Sequence, residues 1–174
     1  HPQKGVLNRH YQPGDLAKAR KIKQLQNGVS LSVDAARLTP SKTGTFKVGD
    51  LITGYGTAMS VKHFYTLWGG DLTQKRVIIQ GWGNVASGAA YYLSQMGAKV
   101  VGIIDKVGGL MKPEGFTLEE VTTLFNTKEV NALSAPHMLS FEEANRQIWS
   151  MGAEVFIPAA ASRLVNRMQL AQML

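Results

Sequence analysis

The sequence predicts an α/β fold of the doubly wound kind, a mainly parallel sheet with helices on both faces, and three observations carry that expectation. From about Leu51 onward, short β-branched runs alternate with amphipathic helical stretches. The runs are continuously apolar, as strands covered on both faces must be. A glycine-rich turn joins one such run directly to a helix.

Taken in order, residues 1–45 show no clear period and read as a linker, a partial element or disorder, leaving 46–174 as the folded domain. GTAMSVKHFYTLWGG (56–70) reads as a helix ahead of the first strand. KRVIIQ (75–80) is that strand, with Val77, Ile78 and Ile79 as its apolar run, and NVASGAAYYLSQM (84–96) is the helix that follows. AKVVGIID (98–105) is a second buried strand. Two strands linked by a helix in roughly 30 residues form a βαβ unit, which closes with a right-handed crossover. GGLMKPEGF carries turn punctuation. Thr117 with Glu120, and later Ser140 with Glu143, form capping boxes, the first opening a helix through Phe125. AEVFIPAA (153–160) is a third strand, stopped by Pro158, and RLVNRMQLAQML closes the chain as a helix.

Composition narrows the function classes. A chain of 174 residues holds one domain with a sizeable core. No apolar run approaches the roughly 20 residues of a membrane span, and HPQKGVLNRHYQPGD lacks the apolar stretch of a secretory signal. With no cysteine there is no disulfide framework, so a cytoplasmic setting is expected. The net charge of +7 gathers early, at Lys4, Arg9, Lys18, Arg20, Lys21 and Lys23, without interleaved aromatics. Such a run reads as a solvated face rather than a nucleic-acid footprint, and an anionic dinucleotide is the simpler partner.

The chemistry concentrates in Gly81-Trp82-Gly83-Asn84-Val85-Ala86, a G-x-G-x-x-A pattern between strand and helix. Gly81 permits the tight turn and Gly83 lets backbone approach a pyrophosphate. Asn84 and Val85 open the helix whose N-terminus offers N–H groups to phosphate, and Ala86 is small enough for helix to pack on strand. Asp105 ends the second strand 22 residues beyond Gly83, where an acid hydrogen-bonds the adenosine ribose. The expected fold is therefore Rossmann-type and the expected cofactor NAD, with NADP left open by Lys106.

TGYGTAMSVKHF, KRVIIQGWGNVASGAAYYLSQMGAKVVGIIDKVGGL and AEVFIPAAASRLV together resemble, in order and spacing, the cofactor-binding domain of the glutamate/leucine/phenylalanine/valine dehydrogenase family. Thr53-Gly54 is similar to the glutamate branch. The resemblance implies that Thr53 lies by the nicotinamide end of the cofactor, that Asn84 contacts it, and that Ala159 and Ala160 line its nicotinamide ribose. It further implies oxidative deamination of L-glutamate in a homo-oligomeric, hexameric parent. Ala86 departs from the family glycine. The family's catalytic lysine segment and its Pro-Ala-Pro-Asp motif have no counterpart in these residues, so no catalytic residue is assigned and the chain reads as a piece of a larger dehydrogenase, its amino-acid substrate delivered by another domain. A non-catalytic nucleotide-binding or regulatory module is the alternative. TGYG and IPAA argue against a third candidate, a malic-enzyme-like dehydrogenase. His1, His10, His63 and His137 lack metal-ligand spacing, Ser162 forms no nucleophile elbow, and the seven methionines read as core filler.

Overall fold

The structure is a computed structural model describing residues 16–40, 46–162 and 164–173. The chain forms two compact units, residues 1–52 and 53–174.

In the first unit, α1 (Leu16–Val29) precedes a two-stranded antiparallel pair of β1 (Ser32–Val33) and β2 (Phe46–Lys47), with Ser32 opposite Lys47. A helix here departs from the aperiodic reading. No residue of α1 is buried, and its Ala, Lys, Arg, Gln and Leu residues supply helix propensity. Arg20, Lys21 and Lys23 are exposed; Lys4 and Arg9 lie outside the described residues.

Next comes α2 (Val48–Leu67), which starts well before the expected position 56. Asp50 accepts the Lys47 N–H at 3.0 Å and fastens the first turn. Thr53-Gly54-Tyr55-Gly56 therefore lies within a helix.

The second unit centres on a four-stranded sheet of order β5-β4-β3-β6, formed by β3 (Arg76–Gln80), β4 (Lys99–Asp105), β5 (Gly108–Met111) and β6 (Val155–Pro158). β3 is parallel to both β4 and β6, while β5 runs antiparallel to β4. The helices are α3 (Asn84–Gln95), α4 (Leu118–Thr127), α5 (Phe141–Gln147), continued by a 3-10 turn at Ile148–Ser150, and α6 (Arg167–Met173). The strand β5 corrects the reading of GGLM as turn. Its two glycines have weak strand propensity, and pairing with Gly102–Asp105 overrides it. The last helix begins later than the motif RLVNRMQLAQML suggested, at Arg167, with Arg163 and Leu174 outside the described residues.

Each face of the sheet is covered because each strand is apolar on both. Ile78, Val101 and Ile104 pack on Ala144, Ile148 and Trp149 of the α5 side. Val77 and Ile79, pointing the other way by strand alternation, are fully buried with Ala86, Ala89 and Ala90 of α3. Gly54 explains how closely α2 rides on α3: a Cβ there would stand 2.7 Å from Gly88 Cα. Tyr55 completes the contact edge-on to Tyr92 at 5.1 Å.

Along the strands' amino-terminal edge, Arg76 donates to the carbonyls of Gly152, Pro113 and Met151 at 2.5–2.7 Å. Glu154 accepts the Arg76 N–H at 2.8 Å and the Lys75 ammonium at 3.2 Å. That backbone bond holds the Glu154 carboxyl below its usual value of 4.5. The Lys112 ammonium does the same for Glu120, and the Ser140 cap for Glu143. With folded values below unfolded ones, this stability is complete above about pH 4.5 and is lost as pH falls through the folded values. We expect Tm to fall as pH drops below about 4.5, and Glu154→Gln to flatten that fall; an unchanged acid limb in the variant refutes the assignment.

Candidate phosphate-binding cleft

β3 delivers the chain into a turn whose backbone is fixed before any ligand arrives. Gly81 has φ +92°, a left-handed conformation that suits glycine, and its N–H donates to Ile104 O at 2.7 Å. A Cβ at this position would lie 2.8 Å from Ala159 O. Trp82 is fully buried and donates Nε1–H to Leu124 O at 3.0 Å, so the middle of the turn is tied to α4.

Gly83 is different. Its φ of −71° and ψ of −174° are open to any residue, and a Cβ there would only touch the Asn131 side chain, at 3.7 Å. The fold does not require glycine at this position. Gly83 is also the N-cap of α3, which has no side-chain cap, whereas α4 and α5 each carry a complete capping box at Thr117/Glu120 and Ser140/Glu143. The head of α3, with the positive end of its dipole, thus has no side-chain cap at Gly83, and Gly83 faces open space, the combination that binds anions.

That space is a cleft of about 510 Å³ at the carboxyl ends of β3, β4 and β6. Its position is the switch point of the sheet, since the chain leaves β3 for β4 on one side and returns to β6 on the other. Of the residues singled out from sequence, Gly81, Gly83, Asp105, Lys106, Ala159 and Ala160 line it together. Asp105 is 8% exposed and accepts the Leu133 N–H at 2.9 Å through Oδ2; Lys106 is exposed. Asn84 and Val85 occupy the first turn of α3 and Thr53 is exposed on α2; none of the three is among the lining residues.

Gln80, Asn131, Phe141 and Asn145 also line the cleft and are absent from the sequence-based assignment. Gln80 had a signal: it shares the face of Ile78, and a polar residue at a buried strand position (8% exposed) is worth notice. Asn131, Phe141 and Asn145 had none, because separate loops and helices bring them there. Among the described lining residues, only Asp105 and Lys106 are ionisable. Burial pushes the Tyr92 hydroxyl of α3 up to about 12, which leaves it neutral at ordinary pH. His63 and His137 are exposed, and no three His, Cys, Asp or Glu side chains among the described residues could hold a metal; His1 and His10 lie outside them. Ser162 borders an adjoining hollow beside α6. Among the described residues no helix is long and apolar enough to cross a membrane.

Residues 44–174 match the family described as glutamate/leucine/phenylalanine/valine dehydrogenase. The chain is 30% identical over 127 residues to a glutamate dehydrogenase of Aeropyrum pernix, covering 73% of this chain and 30% of that protein. It is 32% identical over 145 residues to an NAD-specific glutamate dehydrogenase of Bacteroides fragilis, covering 75% and 33%. Against an NADP-specific one of Saccharolobus shibatae the identity is 30% over 141 residues, covering 78% and 32%. The chain thus spans about a third of the length of these relatives. Its fold is shared with the hetero-hexameric glutamate dehydrogenase of Thermus thermophilus in a Leu-bound form, at a TM-score of 0.58 and 23% identity over 90% of this chain and 36% of that one.

Proposed function

Because the chain belongs to the glutamate/leucine/phenylalanine/valine dehydrogenase family, we propose that it is the part of a glutamate dehydrogenase that holds the nicotinamide dinucleotide. The carrying observation is Gly83, a glycine in an unstrained, uncrowded position at the head of an uncapped helix. A dinucleotide fits that arrangement. Its pyrophosphate would take the first N–H groups of α3 beside Gly81 and Gly83, with Asn84 and Val85 flanking. Asp105 would accept from the adenosine ribose, and Ala159 and Ala160, small residues at the end of β6, would border the nicotinamide ribose, with Thr53 toward the nicotinamide end. When bound, the cofactor supplies the hydride acceptor. This chain's residues bind and orient it, and keep its reactive face toward an amino acid held by the rest of the parent enzyme.

Relatives specific for NAD and for NADP match the chain almost equally well. Asp105 favours NAD, since a carboxylate accepts from ribose hydroxyls and repels a 2′-phosphate, and Lys106 works in the opposite sense. The parent is a hexameric, cytoplasmic oxidoreductase on this reading.

Calorimetry with the 174-residue chain is the test. NAD or NADH should give saturable binding, and no binding of either at millimolar concentration refutes the proposal. Asp105→Ser should narrow the preference for NADH over NADPH by about tenfold, as expected of one hydrogen bond to a charged group. A wild-type chain that prefers NADPH would show that Lys106 dominates.

A further inference from the structure

We infer that Lys128, a residue remote in sequence from the fingerprint, is a positioning residue for the phosphate-binding turn; this rests on the dinucleotide reading of the cleft. Lys128 follows the last residue of α4, and its ammonium comes back to the start of α3. There it donates to Asn84 Oδ1 at 2.7 Å and to Ser87 Oγ at 3.0 Å, 4.4 Å above the Phe125 ring.

The chemistry of the ammonium makes the contact directional. A lysine ammonium has three donors and no acceptor, while an asparagine amide has an oxygen at one end and an NH₂ at the other. Lys128 therefore fixes which way Asn84 faces, with the oxygen turned to the lysine and the donor end opposite. Ser87 receives the second N–H and can pass its own hydrogen on, donating to Gly83 O at 2.9 Å. One cation thus constrains the residues on both sides of the Gly83–Asn84 peptide, through bonds strengthened by charge. Its setting is partly buried, where salt screens less, so it also leaves positive charge beside an anion site.

A merely structural lysine would have different consequences. Lys128→Met is expected to weaken NADH binding about tenfold, the loss of a charged hydrogen bond, while adenosine, which lacks the phosphates, binds within twofold of wild type. Lys128→Arg, another donor-only cation, should restore most of the affinity. In an Asn84→Ala background, the Lys128→Met substitution should cost less than about threefold, because the amide it orients is gone. If wild type binds NADH and Lys128→Met binds it equally well, the positioning role is overturned and the cofactor site stands. Equal losses for NADH and adenosine, or a variant that does not fold, assign Lys128 to stability and overturn the inference. A wild-type chain that binds neither NAD nor NADH removes the cofactor reading itself.

Discussion

Gly83→Val is expected to abolish dinucleotide binding, weakening it by at least about 100-fold, while changing stability by less than about 1 kcal/mol. Among the described residues nothing opposes a side chain at this position: the backbone is extended and the nearest atom to a Cβ is 3.7 Å away. A valine would instead fill the space over the first N–H groups of α3 that a pyrophosphate needs. Gly81→Val should behave in the opposite way. At φ +92° and with Ala159 O within 2.8 Å of any Cβ, backbone strain and overpacking together are expected to cost about 2–4 kcal/mol of stability. Thermal melts and NADH titrations of the two variants separate the roles. A Gly83→Val chain that binds NADH normally would mean that the phosphates lie elsewhere.

The second expected result is an absence of turnover. Hydride transfer requires the substrate carbon to be held about 3–3.5 Å from the nicotinamide, and such positioning supplies roughly 7–11 kcal/mol. Among the described residues the cleft offers Asp105 and Lys106 as its only ionisable lining residues, and in the proposed orientation both belong to the adenosine end. Proton transfer at the amino-acid carbon needs a poised acid or base within hydrogen-bond reach, and polarising a carbonyl or imine needs a directed donor. The 174-residue chain is therefore expected to form NADH from glutamate, leucine, phenylalanine or valine at least about 10⁵-fold more slowly than a full-length enzyme. Activity should return when the catalytic portion is joined to it. Measurable turnover by this chain alone would show that a residue assigned here to cofactor binding or to solvent takes part in the chemistry.

Much of the fold was legible because parallel strands advertise themselves. The runs at 77–79 and 100–104 are apolar without interruption, and the capping boxes at Thr117 and Ser140 mark helix starts to the residue. What escaped depended on tertiary contacts. The helix expected from Gly56 onward in fact runs back through Gly54, whose missing side chain admits α3. Gly108 and Gly109 looked like a turn, and only the partner strand β4 makes them extended. The same division holds for the cleft. Gly81, Gly83 and Asp105 sit at strand ends or on the turn, where local pattern speaks, whereas Ala159 and Ala160 were reached only through the family resemblance. Asn131 and Asn145 reach the cleft from a turn and a helix whose placement no local pattern records, and Lys128 reaches the head of α3 in the same way.

Arg76 and its neighbours have a consequence for how far such a chain can change. The guanidinium gathers three carbonyls from segments 37 to 76 positions away, and Glu154 ties the start of β6 to the start of β3. This cross-bracing lies wholly at the amino-terminal ends of the strands, one strand length from the cleft at their carboxyl ends. Distant, unshared sites contribute nearly additively to stability. The cleft edge can therefore accept exchanges of cofactor preference or cleft shape without loosening the brace, while changes to the brace leave the ligand edge chemically intact. Separation of that kind makes the domain evolvable: one edge preserves the scaffold while the other drifts among ligands.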